Sequence, residues 1–260
     1  MKKKVSLLLI ACMTLLLAAC GKSSSNTFTV GFDAEFPPYG YLDDNGDYVG
    51  FDLDLAAEVC KRNGWELVKR PIDWDSKDME LSSGSIDCIW NGFTMNGREN
   101  QYTWSSPYVD NSQVFVVAEN SGITTFADLA GKAVGVQRDS SALNALNDEE
   151  TPENIQLRDS FGLLREYADY NTAFMDLEAG ALDAVGMDIG VADYQIESRG
   201  GGYVILEQKL AAEQYGVGFL LGNEELRDTV ESTLKDMAED GTFAKIAEQW
   251  GLADSICFGK

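Results

Sequence analysis

The chain has 260 residues, 45% of them apolar and 24% charged, which allows one large domain or two small ones around a real core. Its formal net charge is −23 and it contains no histidine. The acidity argues against nucleic acid or anionic lipid head groups as partners. The missing histidine excludes Ser–His and Cys–His nucleophile systems and removes the commonest metal ligand.

The N-terminus reads as a targeting segment. Lys2, Lys3 and Lys4 form a basic start, residues 5–17 are almost wholly apolar, and Leu17-Ala18-Ala19-Cys20 follows. The apolar run is short for a bilayer span. The four-residue pattern resembles the bacterial lipobox, which implies a signal peptide over 1–19, a lipid on the Cys20 thiol and a flexible tether over 20–26. An ordinary signal peptide or a transmembrane helix is the plainer alternative. Of the other cysteines, Cys60, Cys88 and Cys257 would remain, an odd number that argues against a disulfide framework. Cys60 and Cys88 read as small buried hydrophobes, with a bridge between them as the alternative. No Cys/His cluster suggests zinc, and neither metal nor cofactor is expected.

In chain order the pattern predicts a strand over 27–32, a loop over 33–39 and a hairpin around 44–47. A helix over 51–62 stops at Asn63-Gly64, a strand follows over 66–69, and a short helix spans 75–81. Residues 86–90 read as a buried strand. Its loop, from Trp90 to Pro107, carries Asn91, Gly92, Thr94 and Arg98. Loops off strand ends are where open α/β sheets hold small ligands, and an arginine there can grip a carboxylate with two parallel hydrogen bonds.

Residues 108–112 read as a short polar crossing and 113–118 as a strand. Further on come a small helix over 126–131, a strand over 133–137 and a helix over 140–146. Next are a helix over 171–179, a strand over 184–187 and a helix over 189–197. Strands over 203–206 and 215–220 precede amphipathic helices over 224–240 and 243–250, and 251–260 reads as an irregular tail. Leu81-Ser82-Ser83-Gly84-Ser85-Ile86-Asp87-Cys88 and Leu177-Glu178-Ala179-Gly180-Ala181-Leu182-Asp183-Ala184 share one pattern: helix end, glycine stop, buried strand. Each copy delivers a loop five residues past its aspartate, at Gly92 and at Asp188. Two similar α/β lobes facing each other are expected.

These residues resemble the bacterial extracellular solute-binding proteins of the polar amino-acid class, the soluble receptors of ABC importers. The carriers are Gly50-Phe51-Asp52-Leu53-Asp54-Leu55-Ala56, Gly92-Phe93-Thr94, Arg98, Ser105-Ser106-Pro107-Tyr108, Leu129-Ala130-Gly131-Lys132, Leu182-Asp183-Ala184-Val185 and Gln214-Tyr215-Gly216-Val217-Gly218-Phe219. The likeness implies a periplasmic-binding-protein-like fold of type II, with lobe 1 over 27–110 and 213–260, lobe 2 over 111–212, and a ligand cleft between them.

By that resemblance Arg98 binds the ligand carboxylate, helped by Ser140 and Ser141 at a helix start. Asn91, Gly92 and Thr94 receive polar groups, and Gln137 touches the ligand from a strand end. Asp188 takes the α-ammonium, although it could equally cap the following helix. Phe36 and Trp74 sandwich the ligand side chain. Asp33, with Glu35 nearby, meets its polar end, hinting at arginine, lysine, ornithine or a glutamine-like ligand. Two departures stand out. The loop before Arg98 is one residue shorter than usual. Arg138-Asp139 also replaces a stretch that usually has glycine, with Arg138 a candidate to balance Asp139. The implied protein is a monomeric, lipid-anchored, non-enzymatic receptor on the outer face of the cytoplasmic membrane. It would work with an ABC permease and ATPase. A dehydratase-like enzyme on the same fold, or a sensing lipoprotein without transport, is the alternative.

Overall fold

The computed structural model describes residues 26–259. The expected signal peptide, Cys20 and all of the tether but Asn26 lie outside the described residues. No helix among the described residues is long and apolar enough to cross a membrane.

One sheet has five strands in the order β5 (Glu66–Pro71), β1 (Thr27–Phe32), β6 (Cys88–Ile89), β14 (Gly218–Phe219), β7 (Thr103–Trp104). Strand β1 runs parallel to β5 and β6, and β14 is antiparallel to both its neighbours. Phe28, Val30 and Phe32 alternate along β1 into the core. On its other face Gly31 admits Ile86 so closely that a Cβ there would fall 2.4 Å from the Ile86 Cδ1. Helix α1 (Phe51–Asn63) buries Phe51, Leu55 and Val59 against this sheet. Full burial of each such side chain stabilises the fold by about 1.5–3 kcal/mol. The helix ends where Gly64 turns left-handed (φ 66°) and its N–H reaches the Cys60 and Lys61 carbonyls.

The second sheet has the order β10 (Leu163–Tyr167), β9 (Ala133–Gln137), β11 (Ala184–Asp188), β8 (Val109–Ala118), β12 (Tyr203–Ile205), and β13 (Ala211–Tyr215) also pairs with β8. A small third sheet is the hairpin β2 (Glu35–Phe36), β3 (Gly40–Leu42), β4 (Tyr48–Val49). The chain leaves the first sheet along β8 and returns along β13, antiparallel from Val109↔Tyr215 to Ala211↔Gln113. This is the expected two-lobed α/β architecture with two crossing strands.

Three differences from the sequence reading have physical causes. The expected break between 112 and 113 is absent, because β8 is one strand of ten residues. Its polar middle, Asn111, Ser112 and Gln113, is buried. Helix α4 (Pro152–Ser160) and β10 were not foreseen. The helix buries little beyond Asn154 and β10 is a half-exposed edge, so neither carries apolar periodicity. The tail is tied down: Ile256 bridges Val109, the Cys257 N–H reaches the Tyr108 carbonyl (3.1 Å), and Phe258 stacks on Phe243. Cys60 and Cys88 are buried free thiols, so the small-hydrophobe reading holds for them.

Candidate functional site

The remaining helices are α2 (Lys77–Ser82), α3 (Ser141–Asn147), α5 (Tyr170–Glu178), α6 (Ile189–Ser198), α7 (Glu224–Glu239) and α8 (Thr242–Gln249). Arg98, in the loop after β6, is 7% exposed. Its Nη1 donates to the Thr94 carbonyl and, across to the second lobe, to the Ser141 hydroxyl, both at 3.2 Å. Its Nη2 reaches the Asp139 carbonyl at 3.4 Å, and the guanidinium lies 5.3 Å from the Phe93 ring centroid. The Thr94 hydroxyl donates to Glu213 Oε1 on β13 at 2.9 Å.

Gly92 needs its missing side chain. Its φ is +53°, and a Cβ would fall 2.8 Å from Phe36 Cε1. Its N–H donates to Asp52 Oδ2 (2.6 Å), and the Tyr108 hydroxyl donates to Asp52 Oδ1 (2.9 Å). Burial pushes the Asp52 carboxyl up to about 7, against the lowering effect of those donors. Asn91 turns inward and accepts the Asp33 N–H at 3.0 Å.

Asp188 closes β11. It occupies the N-cap position of α6 but makes no side-chain cap, so of its two expected roles the helix cap is not used. Its Oδ1 accepts from Asn111 Nδ2 (2.8 Å), Gln113 Nε2 (2.6 Å) and the Tyr215 hydroxyl (2.6 Å), while Tyr170 approaches Oδ2 at 3.3 Å. The same two amides donate to Glu213 Oε1, at 2.6 and 2.7 Å. Burial raises both acids, and the neighbouring Asp188 charge adds to the rise at Glu213, which reaches about 7. The carbonyl oxygens of Asn111 and Gln113 are buried and find no partner among the described residues.

Gln137, at the end of β9, donates to Asp33 Oδ2 across the lobes (2.7 Å) and to the Ala168 carbonyl (3.0 Å). Burial raises Asp33 to about 6 against the Glu35 N–H and Gln137 bonds, and Asp169 and Glu35 add to the rise. Glu35 itself is exposed, and it lines a cavity of about 410 Å³ with Asp33, Asp73, Trp74 and Asp169. Phe36 lies between Tyr39 and Tyr170, with centroids at 5.8 and 5.9 Å, while Trp74 packs edge-on to Phe93 at 5.5 Å. Both rings are thus seated against other aromatics.

The second lobe's helix start divides its two serines. The Ser140 hydroxyl accepts the Leu143 N–H at 3.2 Å and caps α3, whereas the Ser141 hydroxyl faces Arg98. Asp139 is the one non-glycine with positive φ (55°) among the described residues, so it adopts the backbone conformation of the glycine it replaces. Its carboxylate is not balanced by Arg138, which pairs with Asp75 at 2.7 Å. The partner is Lys77, 2% exposed, whose ammonium also lies 5.1 Å from the Trp74 centroid. Arg138 points outward along its strand-end loop, leaving Asp139 to face inward.

The structure therefore brings Arg98, Thr94, Ser141 and Asp188 into one connected polar network, and Asp33 and Gln137 into another. Sequence reasoning missed Lys77, Asn111, Gln113, Tyr170, Glu213 and Tyr215. Of these, Glu213 carried a signal: a lone acid on a crossing strand, opposite an asparagine that would also have to be buried. No group of three or more Cys, Asp or Glu side chains placed to hold a metal occurs among the described residues.

The model of a family described as bacterial extracellular solute-binding proteins, family 3, matches residues 28–253. The chain is 31% identical over 231 residues to the L-cystine-binding protein TcyJ of Escherichia coli, covering 88% of this chain and 84% of that one. It is 30% identical to the arginine-binding extracellular protein ArtP of Bacillus subtilis, over 96% of this chain and 98% of that protein. Among solved structures, an ABC uptake transporter substrate-binding protein from Streptococcus pneumoniae with bound histidine superposes with a TM-score of 0.82. It has 32% identity, covering 91% of this chain and 94% of that one.

Proposed function

The chain belongs to the bacterial extracellular solute-binding proteins, family 3, and from that premise we propose that it is a lipid-anchored receptor. It captures a free polar or cationic α-amino acid outside the cell and passes it to the permease and ATPase of an ABC importer. One observation carries the reading: a cation and an acid stand at opposite ends of one hydrogen-bonded run, Arg98–Thr94–Glu213–Asn111/Gln113–Asp188. A zwitterion presents a carboxylate and an ammonium with the complementary polarity. Arg98, with Ser141 beside it, receives the carboxylate, and Asp188 the ammonium. Arg98 belongs to lobe 1 and Asp188 to lobe 2, so both charges are met only in the closed cleft, and closure becomes ligand-dependent.

Asn91 and Gly92 shape the floor, Gln137 and Asp33 meet the ligand side chain, and Phe36 and Trp74 flank it. Ser140 serves by holding the helix start: its hydroxyl caps α3 and its N–H donates to the Gln137 carbonyl. Burial raises the Asp33 and Glu35 carboxyls, the Asp169 charge adds to both and Glu35 to that of Asp33, so a cationic side chain there would offset the crowded negative charge. That favours arginine, lysine or ornithine, in keeping with an arginine-binding relative. In this reading lobe 1 comprises 27–110 and 213–260, lobe 2 comprises 111–212, and Cys20 carries the lipid. Calorimetry of the purified chain against a panel of amino acids tests the reading: micromolar or tighter binding of a cationic member is expected, and failure of the whole panel would overturn it. Loss of uptake on gene deletion tests the importer step.

The paired carboxylates Asp188 and Glu213 also favour a second reading, a dehydratase-like enzyme using one of them as an acid. Loss of water and carbon dioxide from a hydroxylated, carboxylated cyclohexadiene to give an aromatic product, with the acid protonating the departing hydroxyl, would establish it if Glu213→Gln abolished that turnover.

A further inference from the structure

Glu213 is not needed to explain carboxylate or ammonium recognition by Arg98 and Asp188, yet it is 7% exposed and held by three donors. Asn111 Nδ2 and Gln113 Nε2 each donate to both Asp188 Oδ1 and Glu213 Oε1. Two oxygens that share the same two nitrogens at 2.6–2.8 Å are forced close together. The pair sits between the lobes, on β11 of the second sheet and on crossing strand β13.

Every element packed against it supplies neutral groups. Tyr215 and Thr94 donate to it, Tyr170 approaches Asp188, and Tyr39 lies behind Tyr215 with ring centroids at 5.2 Å. The charged groups nearest are Arg98, one residue away through Thr94, and Asp52 behind Tyr108. Among the described residues neither carboxylate has an ion-pair partner of its own. Two like charges so placed cannot both be carried without a counter-charge. The carbonyl oxygens of the same two amides, Asn111 and Gln113, are buried and find no partner among the described residues. The two carboxylate oxygens thus converge on the same pair of amide nitrogens, where a cationic donor would supply the missing counter-charge.

We propose that Asp188 and Glu213 work as a single amide-bridged acceptor that holds one proton between them until an ammonium arrives, so that capturing an amino acid releases that proton to solvent. This rests on the receptor reading above. The balance is simple: one proton leaves the pair for the buffer, and one ammonium takes its place beside two carboxylates. The raised carboxyls agree in direction, Glu213 reaching about 7. Capture is therefore favoured as pH rises toward neutrality, with affinity gaining up to about tenfold per pH unit below that point.

The test is calorimetry with L-arginine, L-lysine, L-ornithine and L-glutamine, run in phosphate and in Tris. The dependence of the observed heat on buffer ionisation counts protons. Near pH 6 about one proton released per ligand is expected, falling toward none by about pH 8.5, where both acids are ionised. With L-glutamine, whose neutral side chain leaves the Asp33 proton in place, Glu213→Gln should bind with no proton release at any pH. Because that substitution could disturb the amide bridge, ¹³C-carboxyl spectra of the ligand-free wild type provide a second reading, in which one resonance of the pair should titrate near neutrality. Tight binding with no buffer dependence between pH 6 and 8.5 would overturn the shared proton while leaving the receptor intact. Absence of binding by all four would take the receptor reading down, and this inference with it.

Discussion

Replacing Lys77 with methionine tests whether a charge pair helps hold the lobes together. The Lys77 side chain is 2% exposed, and its partner Asp139 is 43% exposed. Lys77 opens α2 on the first lobe, and Asp139 lies between β9 and α3 on the second, so the pair exists only while the lobes meet. A half-buried, hydrogen-bonded ion pair contributes about 1–3 kcal/mol, and an ammonium over an indole about 0.5–1 kcal/mol. Opening returns the ammonium to water, which offsets part of this, leaving a bias toward the closed form of roughly 1–2 kcal/mol, or about 5- to 30-fold. Methionine keeps the reach and the apolar stem while removing the charge. Lys77→Met should therefore weaken amino-acid affinity by about that factor and increase the radius of gyration of the free protein in solution scattering. Asp139→Asn should cost at least as much, because it strands a buried ammonium. The double variant should recover part of the loss, giving a coupling of about 1–2 kcal/mol. Additive losses with no coupling would refute the reasoning. Arg138–Asp75, exposed on both sides, should show little coupling in the same cycle.

Other outcomes follow from the same geometry. Arg98→Ala removes charge-assisted bonds of about 1.5–3 kcal/mol each, so calorimetry should show at least a hundredfold loss of affinity with thermal melting nearly intact. Arg98→Lys, which keeps charge but not the fork, should recover only part of that, and unchanged affinity in either variant would remove the proposed carboxylate site. Asp33, Asp52 and Glu213, raised by burial to about 6, 7 and 7, keep protons in the folded state that the unfolded chain has already lost between about pH 4 and 7. Melting temperature should therefore fall as pH rises through that window, and Asp52→Asn should flatten the fall. A melting temperature that climbs steadily from pH 5 to pH 8 would contradict this. Gly92→Ala, strained at φ +53° and facing Phe36, should lower the melting temperature by roughly 2–6 °C.

The architecture was readable because its punctuation is local. Gly64 ends α1 by a left-handed turn, and the repeated Leu-x-x-Gly-x-(Ile/Leu)-Asp pattern marks two strands that do occupy corresponding places in the two sheets. Helix α4 was hidden because Asn154, not a leucine, is its buried residue; the amide is satisfied by the Ala145 carbonyl and by that of Leu210, 56 residues on and outside any local window. The site divides the same way. Arg98 and Asp188 announced themselves as polar residues at strand-end loops. Lys77 and Glu213 did not, since a buried charge looks like a surface charge until its partner, 62 or 25 residues away in Asp139 or Asp188, is brought alongside.

The last residues of the chain decide where the molecule can flex. Ile256 and Cys257 fasten the start of β8 at Tyr108 and Val109, and Phe258 anchors that fastening on α8. Those contacts stop at Val109, so the proposed closure would have its bend past them, at Asp110 to Ser112 and the facing stretch of β13. That puts the pivot beside Asn111 and Glu213, so a positive charge arriving there would stiffen the very joint whose swing admits it.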